Sequence, residues 1–196
     1  MEEQILNIAG GKIPPLDIEK PYFIVNVDTM YYRNEEPAWA EEQWSEWRRS
    51  STKYTQIMNV KSDVFEFMER TYMTFDRICI YRFLEHVSFT NLLYFIYLVS
   101  TVTEKDDIVD IIVPNYQTLA KLLLNESVLN PTFERDNILL TTELLNEPSC
   151  PHASIWTPDR AFHFWEMEGR FKIEEVFPKF NFDGRDIYMR FKARRR

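Results

Sequence analysis

Phe75-Asp-Arg-Ile-Cys-Ile-Tyr-Arg-Phe-Leu-Glu-His-Val87 is the stretch that decides the fold. Ile78 to Tyr81 form a short apolar run that stops at the polar turn Arg82 to His86. Such a run, bounded by turn residues, predicts a buried strand that ends at one edge of a sheet. Cys79 lies inside the run and is expected to pack as a small buried hydrophobe. Ser88 is placed to N-cap a helix over Phe89 to Thr103. That helix is apolar almost all round, which predicts cover on both of its sides.

Upstream, Ile5-Leu-Asn-Ile-Ala9 followed by Gly10-Gly11 predicts a first buried strand and a tight turn. Tyr22 to Val27 is β-branched and aromatic, and predicts the second strand, ending at Asp28. The prolines between them leave room for one or two helical turns at most. Asn34-Glu-Glu-Pro37 opens a helical insertion over 34–53, with Trp39, Trp44 and Trp47 roughly on one side. Tyr54 to Val60 predicts a third strand, and Asp63 caps a short helix over Val64 to Arg70.

Downstream, Ile108 to Val113 predicts a fifth strand stopped by Pro114. Helices are expected over Tyr116 to Asn125, over Glu134 to Asn146, and from Thr157-Pro158-Asp159 to about Met167, with Gly169 as the stop. Phe171 to Phe177 and Ile187 to Phe191 predict a closing pair of strands around the turn Asn181 to Arg185. Strands alternating with helices imply an α/β fold, a mostly parallel sheet with helices on both faces. The short last connection cannot cross over, so an antiparallel strand is expected at the C-terminal edge.

The chain has 196 residues, a formal net charge of -8 and 45% hydrophobic residues. Those values predict one domain, 1–196, with no general attraction for phosphate backbones and hence no general nucleic-acid affinity. The basic run Lys192-Ala-Arg-Arg-Arg196 is expected to be a solvated tail. Cys79 and Cys150 have neither disulfide nor metal spacing, no cluster of the histidines resembles a metal site, and no metal is expected. The acidic start lacks the charge pattern of a signal peptide, and Leu92 to Val102 is too short to span a bilayer. A cytoplasmic location and no membrane partner are the expectations.

Three separated motifs together carry a resemblance: Leu6-Asn-Ile-Ala-Gly-Gly11, Asn26-Val-Asp28 and Arg82-Phe-Leu-Glu-His-Val87. In order and spacing the chain resembles the class I, Rossmann-like S-adenosylmethionine-dependent methyltransferases. The similarity is to the branch with Leu-Asn-Ile-Gly-Cys-Gly, Asn-Val-Asp and Leu-Glu-His-Val motifs, and covers Ile5 to Phe191. It implies a three-layer sandwich around a seven-stranded sheet and S-adenosylmethionine as cofactor. It also implies methyl transfer to an oxygen, nitrogen or carbon acceptor.

In an open parallel sheet, ligands bind beyond the carboxyl ends of the strands. Gly10 and Gly11 permit close backbone approach. An acidic residue about 20 residues after a glycine loop can accept from ribose hydroxyls, and Asp28 stands at that interval. The resemblance implies that Asn7, Ala9, Gly10 and Gly11 bind the cofactor, with Asn7 at its methionine amino group. It implies further that Asp63 accepts from the adenine amino group beside the Val64 backbone, and that Arg82 and Phe83 lie under the cofactor. His86 is the candidate catalytic base for a hydroxyl or amine acceptor. The alternative for His86 is a hydrogen bond to a neighbouring loop, with catalysis by alignment alone.

The segment 125–156, which includes His152, is assigned to the substrate side. His163 is expected to be structural. Asn7 stands where the wider family usually carries an acidic residue, so it can bond the methionine amino group only without charge; from the Leu-Asn-Ile branch the chain departs in having Ala9-Gly10 where Gly-Cys would stand. A catalytically inactive scaffold or interaction protein is therefore the second reading, with Trp39, Trp44 and Trp47 as its partner surface. NAD-dependent oxidoreduction is disfavoured, because no Gly-x-Gly-x-x-Gly is present.

Overall fold

A computed structural model describes residues 3–8, 22–27, 56–60, 62–124, 152–182 and 184–196. Seven strands form one sheet in the order β3-β2-β1-β4-β5-β7-β6. They are β1 (Glu3–Ile8), β2 (Tyr22–Val27), β3 (Gln56–Val60), β4 (Arg77–Tyr81), β5 (Ile108–Pro114), β6 (Phe171–Phe182) and β7 (Arg185–Arg195). The described helices are α1 (Val64–Arg70), α2 (Phe89–Thr101), α3 (Tyr116–Leu124) and α4 (Pro158–Met167), with a single 3-10 turn at Leu84–His86.

Alternation along the strands sorts side chains onto two faces. Leu6, Ile8, Val25, Val27, Ile78, Ile80, Val109 and Ile111 share one face with Val64 and Met68 of α1, Phe95 and Val99 of α2, and Trp165 of α4. Ile5, Ile24, Cys79, Tyr81, Ile112 and Tyr188 share the other with Leu119 of α3. The helices therefore divide between two layers, as the alternating pattern implied.

Strands β1 to β5 pair in parallel. The antiparallel strand is not at the edge, which corrects the expectation. β7 pairs antiparallel with both β5 and β6, so the edge strand β6 again runs with β1 to β5. The physical reason lies in the polar residues of β5 and β7. Asp110 is 0% exposed and Arg190 is 5% exposed. Arg190 donates through Nε to Oδ1 of Asp110 at 2.9 Å and through Nη2 to Oδ2 at 2.7 Å. Tyr81 donates its hydroxyl to the same Oδ2 at 3.2 Å. A buried carboxylate is strongly destabilising without such a partner, and β7 beside β5 supplies it.

Three further expectations change. Lys192 to Arg196 is not a loose tail, because β7 runs to Arg195 and carries cross-strand ion pairs. Lys192 meets Glu175 at 2.9 Å and Arg194 meets Glu174 at 2.7 Å. The bond from Arg194 holds the carboxyl of Glu174 below its usual range. Helix α2 is not covered all round: Leu93, Tyr94 and Tyr97 are exposed, with Tyr94 and Tyr97 stacked. Ser88 stands at the N-cap of α2, but its hydroxyl bonds the Thr90 hydroxyl at 2.8 Å instead of a helix amide.

Other local readings match closely. Asp63 Oδ1 accepts from the amides of Phe65 and Glu66 at the start of α1. Thr157 caps α4, Pro158 occupies its first turn, and Gly169 at φ +80° follows its end. Gly184 at φ +74° lies in the turn between β6 and β7, where a side chain would be strained. The 34–53 insertion with Trp39, Trp44 and Trp47, the helix expected over Glu134 to Asn146, and Cys150 lie outside the described residues. No described helix is long and apolar enough to cross a membrane.

Asp110→Ala should lower the unfolding free energy by about 3–5 kcal/mol, because it strands the Arg190 charge in the sheet. Asp110→Leu combined with Arg190→Met should recover most of that loss, as read from urea denaturation curves.

Candidate functional site

Parallel pairing brings the strand ends into line. Ile8 stands opposite Val27, and Val27 opposite Val60. Ile8 also stands opposite Ile80, one residue before the end of β4. The segments that follow these strands thus leave from one edge of the sheet. Pro114 of β5 ends at that edge too, paired with Tyr188 of β7. The strand order reverses direction between β1 and β4, which makes this edge the topological switch point.

Asn7 is 1% exposed, and its amide donates to the Asn26 Oδ1 at 2.8 Å. The register continues the polar row through Cys79 and Asp110. Asn7 therefore belongs to a row of polar residues that crosses the second face of the sheet. Asp63 is exposed beyond β3, and Val64 is buried in the first core. Ala9, Gly10, Gly11 and Asp28 lie outside the described residues.

Arg82 leaves β4 with φ +57°, a left-handed conformation unusual for a residue with a side chain. Its amide donates to the Ile112 carbonyl at 2.8 Å, which fixes the turn against β5. Its guanidinium lies over the Tyr188 ring at 5.7 Å, and its Nε is 3.8 Å from Oε1 of Glu85. Phe83 packs on Phe95 of α2, with ring centroids 5.4 Å apart.

The turn at Leu84–His86 then meets a segment far along the chain. Ala153 and Ser154 donate their amides to the Glu85 carbonyl at 2.6 and 2.9 Å. The Ser154 hydroxyl donates to the Leu84 carbonyl at 2.8 Å and accepts from Nε1 of Trp156 at 2.9 Å. Trp156 is fully buried, and its carbonyl accepts from the Tyr116 amide at 3.0 Å. Buried backbone groups at a loop must find partners. Here each segment satisfies the other, and the loop is tied down over the turn.

The result places His152 beside His86. Their rings lie 5.0 Å apart at 74°. The Tyr116 hydroxyl and Nδ1 of His152 are 2.5 Å apart. Glu85, His86 and His152 present one oxygen and two ring nitrogens within 4.8 Å of one another. This grouping departs from the expectation that no histidine cluster resembles a metal site. Sequence spacing showed no metal cluster, because α2, β5 and α3 separate the two histidines. Tyr116 was read as a helix residue only; its position directly after β5 was the signal that it reaches the same edge. His163 lies exposed on α4, edge-on to Phe164 and outside this group.

Chemically, the group holds a buried carboxylate, two half-buried imidazoles and a phenol. It can accept, hold or relay a proton from a bound hydroxyl or amine.

No model of a known protein family matches the chain, and no curated protein matches it in sequence. Solved structures do match in shape. The pyocyanin biosynthetic protein PhzM superposes with a TM-score of 0.56 at 13% identity, over 99% of this chain and 50% of that one. A methyltransferase from Methanosarcina mazei, described as S-adenosylmethionine-dependent, gives 0.56 at 13%, over 99% and 92%. The N-methyltransferase NodS from Bradyrhizobium japonicum, solved with S-adenosylhomocysteine, gives 0.54 at 11%, over 98% and 78%. The chain spans about half the length of PhzM. At these identities the likeness is one of architecture, and the chain has the Rossmann-like fold that these methyltransferases share.

Proposed function

We propose that the protein is an S-adenosylmethionine-dependent methyltransferase acting by direct transfer on an oxygen, nitrogen or carbon acceptor. One observation carries the reading. The aligned ends of β1, β2, β3 and β4 bring Asp63 and the Arg82–His86 turn to one edge, beside the strand reversal. An open α/β sheet binds nucleoside-containing ligands there.

The residues suit such a cofactor. Both cap bonds at α1 use Oδ1 of Asp63, and the exposed carboxylate offers Oδ2 to an adenine amino group. Asn7, Ala9, Gly10 and Gly11 would form the loop at the methionine end, Asp28 would hold the ribose, and Arg82 and Phe83 would form the floor. When bound, the cofactor supplies an electrophilic methyl group on a sulfonium sulfur. His86 would take the proton that a hydroxyl or amine acceptor gives up. His152, held by Tyr116, would orient the acceptor or share that proton.

A second reading, a scaffold with the fold but without catalysis, is favoured by Asn7. It supplies no charge where the wider family usually has a carboxylate, and its amide donates to Asn26.

Calorimetric titration with S-adenosylmethionine, with NAD as control, tests the first reading. Binding of the sulfonium cofactor alone is expected; no binding of either ligand would favour the scaffold. Asp63→Ser keeps a capping oxygen but loses reach, so stability should stay nearly constant while cofactor affinity falls about tenfold or more. Equal affinity in that variant would remove the adenine assignment. Asp28→Ala should abolish cofactor binding with the far-ultraviolet circular dichroism unchanged. His86→Ala should slow turnover by roughly a hundredfold if it is the base, and only slightly if it positions a loop.

A further inference from the structure

We propose that Glu85, His86 and His152 form a binding site for a divalent transition-metal ion of the zinc class. The site shares His86 and His152 with the methyl-transfer reading, where an ion held by them would take the place of His86 as a base, and its test needs no cofactor.

Two imidazoles and one carboxylate are a donor set that zinc takes in open sites, with a fourth position left for water or a substrate atom. Here the three donor atoms lie within 4.8 Å of one another. Tetrahedral zinc with bonds of about 2.0–2.2 Å holds neighbouring donors about 3.4 Å apart. Taking up an ion therefore requires the three donors to draw together. Glu85 is fully buried and both imidazoles are half-buried.

The surroundings resemble a supported metal site. Metal-bound histidines usually spend the second ring nitrogen on an oxygen that fixes their orientation. Tyr116 occupies that place for His152, 2.5 Å from Nδ1. Where His152 donates its Nδ1 hydrogen to the phenol oxygen, Nε2 is the nitrogen that would ligate an ion. The three hydrogen bonds from Ala153 and Ser154 to Leu84 and Glu85 hold the two ligand-bearing segments at a fixed separation. The competing cation is Arg82, with Nε 3.8 Å from the Glu85 carboxylate. That distance exceeds a hydrogen bond, and an ion at the site would share the Glu85 carboxylate with Arg82.

The test uses the full chain without an affinity tag, titrated with zinc chloride by calorimetry and with cobalt chloride by visible absorption. One ion per chain is expected, with the intense cobalt bands of a four-coordinate nitrogen and oxygen site. His86→Ala and His152→Ala should each weaken zinc binding more than tenfold. Tyr116→Phe should weaken it about tenfold or more through the outer contact, and His163→Ala should leave it unchanged. The proposal is overturned if the folded chain takes up no zinc, or if uptake survives both His86→Ala and His152→Ala. Should either variant unfold, the wild-type cobalt spectrum decides. Four-coordinate bands sustain the site, and the spectrum of the hydrated ion refutes it.

Discussion

The buried pair of Asp110 and Arg190 is the constraint on which the arrangement of the C-terminal half depends. Side chains on a strand alternate between faces, so a slip of one residue in β7 would carry Arg190 to the opposite core. There it would meet Met189's apolar neighbours in place of a carboxylate, and Asp110 would be left alone. The pair therefore specifies both the neighbour of β5 and its register. Register in turn places Tyr188 opposite Pro114 and under the Arg82 guanidinium, at the edge where the candidate site lies. The edge position falls to β6, whose register shifts on either side of Pro178 interrupt the ladder and blunt it against further strands.

A second level of organisation is built from backbone. The Glu85 carbonyl receives two amides from the 152–154 segment, and the left-handed Arg82 aims the chain so that this carbonyl is reachable. The core beneath is aromatic: Trp156 lies among Phe89, Phe164 and Phe191. Apolar burial of that indole brings the loop down, and hydrogen bonds then set its height over the turn. The two histidines meet because of this loop.

What the sequence made legible follows from the range of each interaction. β2 and the caps at Asp63 and Thr157 are local, written in β-branched runs and in single capping residues. The glycine at 169 ended α4 for the same reason. The place of β7 was not legible, because a hairpin can attach to a sheet by either strand, and the choice rests on Asp110 meeting Arg190 across most of the C-terminal half. The basic run from Lys192 looked like a tail because its acidic partners, Glu174 and Glu175, stand on another strand. The meeting of His86 with His152 was hidden likewise, since neither residue has a ligand-spaced neighbour in sequence. The glycine loop and Asp28 remain expectations from motif and spacing.

Cys79 sits in the centre of the sheet between Asn7 and Asp110 in register. Its thiol is pushed up to about 12, first by burial and next by the Asp110 charge. Oxidants, alkylators and soft metals attack the thiolate, and this sulfur holds its proton. The carboxylate that fixes the strand order thus also helps to passivate the sulfur at the middle of the sheet. Architecture and chemical durability here share one side chain.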